Sequence, residues 1–142
     1  MHIGVLVLLF LPVLLSPMAQ GNLFGVTQRV IVRGQLLCGT EPAKNVLVKL
    51  FDKDPGLDDL MARGRTDNEG FFLLNGTESE VGNIDPMLSI YHDCNDGLPC
   101  QRKWHWMIPD SYITRKNDQK IINIGSWNLE VIMKKEHRDC IH

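Results

Sequence analysis

The chain has 142 residues, a formal net charge of −2, 23% charged residues and 44% hydrophobic ones. That length is enough for one domain with one core once a leader is subtracted. The near-neutral balance excludes the strongly basic face of a general nucleic-acid binder.

Ile3 to Leu15 is an uncharged apolar run broken once, by Pro12. It falls short of the ~20 residues a membrane span needs and suits the apolar region of a signal peptide. Ala19 at the −3 position puts cleavage after Gly21, so residues 1–21 are expected to be a leader and 22–142 the mature domain. No second apolar stretch approaches spanning length. The expectation is a secreted, extracellular protein without a transmembrane segment.

Short β-rich runs follow, divided by turn residues. In Gln28–Leu37, Val30, Val32 and Leu36 alternate with Arg29, Ile31, Arg33 and Gln35, the pattern of a half-buried strand. Gly39–Asn45 reads as a turn, and Val46, Val48 and Leu50 as a second strand. The acidic stretch Asp52–Asp59, with Pro55-Gly56, is expected to be a loop, and Met61–Thr66 a short edge strand. Asp67–Gly70 is a turn in which Asp67 caps its own backbone. Phe71–Leu74 is then strand and Asn75–Asn83 a polar loop. Met87–His92 is expected at the centre of a sheet, Cys94–Cys100 as a turn, and Arg102–Ile108 as a strand. Lys120–Ile124 and Trp127–Met133 flank Gly125-Ser126, the length of a two-residue hairpin connection. Trp127, Leu129, Val131 and Met133 would share one face, and the charged tail Lys134–His142 would be irregular. Seven or eight short strands without helical periodicity argue for an all-β antiparallel sandwich.

Four cysteines, Cys38, Cys94, Cys100 and Cys140, lie downstream of the leader. In an oxidising compartment an even set reads as disulfides. Three connectivities exist; a local Cys94–Cys100 bridge around the turn-rich loop would leave Cys38 with Cys140. Zinc held by Cys94, Cys100, His92 and His105 is disfavoured, because the spacing matches no standard finger. Asn75-Gly76-Thr77 is an N-glycosylation sequon, favoured over an Asn-Gly hairpin because no alternating strand follows. The acidic residues Asp52, Asp54, Asp58 and Asp59 do not follow the ligand order of an EF-hand loop. Arg102, Lys103 and His105, interleaved with Trp104 and Trp106, are a candidate surface for anionic head groups, glycans or an acidic partner. Strand alternation also allows the plainer reading of one solvated and one buried face, with Arg102 on the side of the two tryptophans.

Several segments in order resemble the nematode transthyretin-like family. They are Gly34-x-Leu36-Leu37-Cys38-Gly39 with Pro42-Ala43-x-x-Val46-x-Val48-x-Leu50, and Thr66-Asp67-x-x-Gly70-x-Phe72. Then come Ile84-Asp85-Pro86-x-Leu88-x-Ile90-Tyr91-His92-Asp93-Cys94, Cys100-Gln101-Arg102-Lys103 and Ile108–Ile113. Ile124-Gly125-x-x-Asn128-Leu129-Glu130 and Arg138-Asp139-Cys140 complete the set. The resemblance implies a prealbumin-like β-sandwich and an extracellular binding protein. Its partner would be a lipophilic small molecule, a lipid or a cell-surface protein. The same fold has a hydrolase branch that opens 5-hydroxyisourate with a histidine on the first strand and a C-terminal Tyr-Arg-Gly-Ser. Here no histidine lies between the leader and His92, and the chain ends Asp139-Cys140-Ile141-His142, so that activity is disfavoured. A scaffold acting through protein contacts alone is the remaining alternative. No catalytic residue, cofactor or metal is assigned.

Overall fold

The computed structural model describes residues 25–115 and 117–142; the expected leader lies outside the described residues. Among the described residues nine strands follow in order: β1 (Val26–Cys38), β2 (Glu41–Pro42), β3 (Leu47–Asp52), β4 (Asp59–Arg65), β5 (Phe71–Glu80), β6 (Pro86–His92), β7 (Gln101–Met107), β8 (Ile121–Asn128) and β9 (His137–Asp139). A single turn of 3₁₀ helix, Asp110–Tyr112, precedes β8. Among the described residues no helix is long and apolar enough to cross a membrane.

The strands form two sheets. In the four-stranded sheet β1 is central, antiparallel to β5 and β2 and parallel to β8. The five-stranded sheet has the order β4-β3-β6-β7-β9, all antiparallel. Alternation decides which side chains meet between them. Val30, Val32 and Leu36 of β1 and Phe72 and Leu74 of β5 face Val48, Leu50, Leu88, Ile90 and Trp104 of the other sheet. Each of these is at most 6% exposed, so truncating one, as in Leu50→Ala, costs roughly 2–5 kcal/mol. β6 is buried along its whole length, as its central position between β3 and β7 requires.

Four expectations fail, each for a physical reason. First, Asn75–Glu80 is the second half of β5 rather than loop; it pairs with β1 as far as Val26↔Glu80. Gly76 in the sequon marks close approach of the sheets rather than a turn, since a Cβ there would lie 2.8 Å from both Leu50 Cδ2 and Met61 Cβ. Second, Gly125-Ser126 is not a hairpin. β8 runs through it, with Gly125 at φ 75° and a shift of register against β1 between Arg33 and Gln35, so the glycine serves a bulge. Third, Leu129–Met133 is not a strand: the Leu129 and Val131 carbonyls accept hydrogen bonds from the Arg102 guanidinium instead of a neighbouring strand. Leu129 is buried, but Val131 is 51% exposed. Fourth, the tail is ordered by β9 against β7.

The cysteines pair as Cys38–Cys94 and Cys100–Cys140, not locally. The first bridge ties the end of β1 to the chain leaving β6, and so one sheet to the other. The second ties the start of β7 to the chain leaving β9. The two ends of the sandwich are thereby distinguished. Cys38, Cys94, His92 and Arg102 lie at one end; Asp52, Glu80 and Asp85 lie at the other.

Candidate binding surfaces

The sequence left two readings of Arg102, a surface group with Lys103 and His105 or a residue on the face of Trp104 and Trp106, and the structure shows the second. Arg102 is 7% exposed and points inward beside Trp104. Its guanidinium donates to Glu136 through Nε and Nη2, at 2.9 and 2.8 Å, and to the carbonyls of Cys94, Leu129 and Val131. Glu136 also accepts the Trp104 indole N–H and the Met133 N–H. The hydrogen bond from Arg102, opposed by burial and aided by the Met133 and Trp104 donors, lowers the Glu136 carboxyl from 4.5 to about 2. Arg102 therefore fastens the C-terminal segment to the sheet and is not a surface group. His92 sits against Trp104 in the same region, with its Nδ1 accepting the Cys94 N–H. Burial first, then the Arg102 charge, lowers it to about 4, so it is neutral at physiological pH. The cysteines of the disfavoured zinc set, Cys94 and Cys100, belong to different disulfides.

Lys103 and His105 do share the outer face of the five-stranded sheet, which period-2 alternation demands. Lys103 lies 5.1 Å from the Tyr91 ring and 3.4 Å from the Asp139 carboxylate. Two neighbours absent from the sequence reading join them. Lys49 from β3 stacks over Tyr91 and Phe51, at 5.4 and 5.7 Å, and His137 from β9 meets His105 at 5.5 Å. Burial and the nearby Arg63 lower the Lys49 ammonium, Asp139 opposing and Lys103 adding. Burial and the adjacent His137 and Lys103 lower His105. This face crowds cations over aromatic rings.

The outer face of the four-stranded sheet is different in kind. Its register forms three rows. Asn75, Ile31 and Ile121 make one; Leu73, Arg33 and Asn123 the next; Phe71, Gln35 and Ser126 the third. Between them runs a groove of about 550 Å³. Leu73 is 62% exposed, Phe71 48% and Ile121 44%, around the exposed guanidinium of Arg33. The sequon residue Asn75 is exposed on this same face. The sequence signal for this site was Phe71–Leu74, four apolar residues in succession. Alternation buries Phe72 and Leu74, which leaves Phe71 and Leu73 outward on an edge strand with no sheet among the described residues to cover them.

Comparison with known proteins agrees with this architecture. The Transthyretin-like family (TTR-52) model matches residues 33–109. Transthyretin-like protein 33 of Caenorhabditis elegans is 50% identical over 120 residues, covering 82% of this chain and 84% of its own. Transthyretin-like protein 5 of the same organism is 52% identical over 124 residues, covering 84% and 89%. Transthyretin-like protein 2 is 36% identical over 139 residues, covering 92% and 94%. With its two-sheet β-sandwich and paired cysteines, the chain belongs to the transthyretin-like family.

Proposed function

We propose that the protein is secreted after removal of residues 1–21 and acts as an extracellular binding module for an amphipathic anion. The apolar body of the ligand lies along Phe71, Leu73 and Ile121, and its acid group meets Arg33. The groove on the four-stranded sheet carries this reading: its volume of about 550 Å³ falls in the range of small-molecule sites, and its lining joins exposed apolar side chains to one cation, Arg33, and one carboxylate, Asp67, whose Oδ1 is taken up by the Glu69 and Phe71 N–H groups. Two disulfides that tie distant strands support an oxidising compartment. A glycan on Asn75 would stand one register row from Arg33 and form a rim of the groove.

The test is displacement of a fluorescent long-chain fatty acid from protein secreted by eukaryotic cells. Saturable binding that Leu73→Arg abolishes and Arg33→Glu weakens supports the site. No binding, or equal binding by both variants, removes it. N-terminal sequencing of the same material checks cleavage after Gly21, and peptide-N-glycosidase treatment checks Asn75.

A second reading uses the other face. The cations Lys49 and Lys103 crowd together over Tyr91, with Lys49 also over Phe51, so an anionic head group or acidic protein segment would relieve their mutual repulsion. Lys49→Gln with Lys103→Gln would weaken that interaction and leave fatty-acid displacement unchanged.

A further inference from the structure

At the end of the sandwich opposite the Cys38–Cys94 bridge, three carboxylates converge. Asp52 closes β3, Asp54 follows it by two residues, and Glu80 closes β5 in the other sheet. One oxygen from each lies within 4.8 Å of the others. Acidic groups often cluster on surfaces without meaning, but Asp52 is only 1% exposed. Its Oδ1 accepts the Asp85 N–H at 2.7 Å, which fixes the carboxylate plane. Its Oδ2 is buried with no hydrogen-bond partner among the described residues. A buried carboxylate oxygen without a donor is costly, because it has given up water and gained nothing.

Among the described residues no positive side chain forms an ion pair with Asp52, Asp54 or Glu80. Burial first, then Asp52, Asp54 and Asp85, raise the Glu80 carboxyl above its ordinary range. Burial first, then Asp52, Asp59 and Asp58, raise Asp54. The charged groups that raise them are all carboxylates. Lys53, the neighbouring cation, turns to Asp58 at 3.8 Å.

We infer that Asp52, Asp54 and Glu80 form a divalent-cation site, with calcium as the occupant. All three donors are hard carboxylate oxygens, which suit calcium rather than zinc or copper. Calcium–oxygen bonds of about 2.4 Å allow two ligand oxygens to stand at most nearly 5 Å apart, and the three oxygens here lie within 4.8 Å of one another. Water and backbone carbonyls complete a shell of six to eight oxygens. Because the ligands come from both sheets, the ion cross-links the end of the sandwich that has no disulfide. A site of three carboxylates on an extracellular module is expected in the range of about 0.1–1 mM.

The experiment is a calcium titration of the full secreted chain by calorimetry, paired with thermal unfolding in EDTA and in calcium. The proposal expects saturable binding and a melting temperature that rises with calcium, with a smaller response to magnesium. Asp52→Asn and the half-exposed Asp54→Asn should each abolish the rise, and Asp58→Asn should keep it. The second variant keeps the test decisive if the first folds poorly. A proton shared between Asp52 and Glu80 is the other way to neutralise the pair. It predicts no calcium heat and no shift in melting, and that outcome overturns the site, as does a rise that survives Asp54→Asn.

Discussion

The two ends of this sandwich both bury charge, and they do so in opposite ways. At the disulfide end the Arg102 guanidinium meets one carboxylate and three carbonyls, and Glu136 meets Arg102, Trp104 and a backbone N–H. At the other end Asp52, Asp54 and Glu80 face one another, and one buried oxygen has no donor among the described residues. The lesson concerns buried ions in general. Matched and hydrogen-bonded, they lock a segment in place; unmatched, they mark a position that needs something from outside the chain.

Substitutions can break that contrast, beginning with the largest effect. Arg102→Ala should cost about 3–5 kcal/mol in urea unfolding, because it strands Glu136 and three carbonyls. Replacing Cys38 and Cys94 together by Ala should cost about 4 kcal/mol, since their bridge closes a long loop, with a sequence separation of 56. If the bridge were local instead, Cys38→Ala alone would leave Cys94 paired with Cys100, which peptide mapping under non-reducing conditions detects.

Acid should act next, on the disulfide end. His92 is held neutral, with its value lowered from 6.5 to about 4. The unfolded chain takes up that proton first, so stability is full above pH 6.5 and falls as pH drops toward 4, by on the order of 3 kcal/mol. Glu136, lowered from 4.5 to about 2, contributes stability that is full above pH 4.5 and is lost between 4.5 and 2. Urea unfolding across pH 7 to 4 should therefore decline in wild type and flatten in His92→Gln. The smallest effect belongs to the acidic end. In metal-free buffer Asp52→Asn should raise stability by about 1 kcal/mol, because the amide can donate to Glu80 where two carboxylates repelled.

The strands that alternate cleanly were legible from the sequence. β1, β3 and β7 carry inward apolar residues at period 2 and β6 a nearly continuous apolar run, each between turn residues, and the structure finds them within a residue or two of the expected bounds. The turn at Asp67–Gly70 was equally plain, and Asp67 Oδ1 accepts the Glu69 and Phe71 N–H groups as its sequence suggests. Non-local causes were hidden. Gly76 looks like a turn residue because nothing nearby in sequence shows Leu50 and Met61 lying over it. Gly125 looks like a hairpin because its bulge is defined by the distant β1. Alternation put Arg102 on the side of the tryptophans, but its burial stood between two readings because its partner Glu136 comes from 34 residues away. Asp52 and Asp54 were visible as acidic residues, but Glu80 joins them only through the stacking of the two sheets. Fold class survives such gaps because many residues vote for it; a site of three or four residues does not.

The most direct test of the contrast between the ends is one pair of isosteric neutralisations measured side by side in EDTA. The urea midpoint of Glu136→Gln should fall below wild type, and that of Asp52→Asn should rise above it. Shifts of the same sign in both variants would contradict the account.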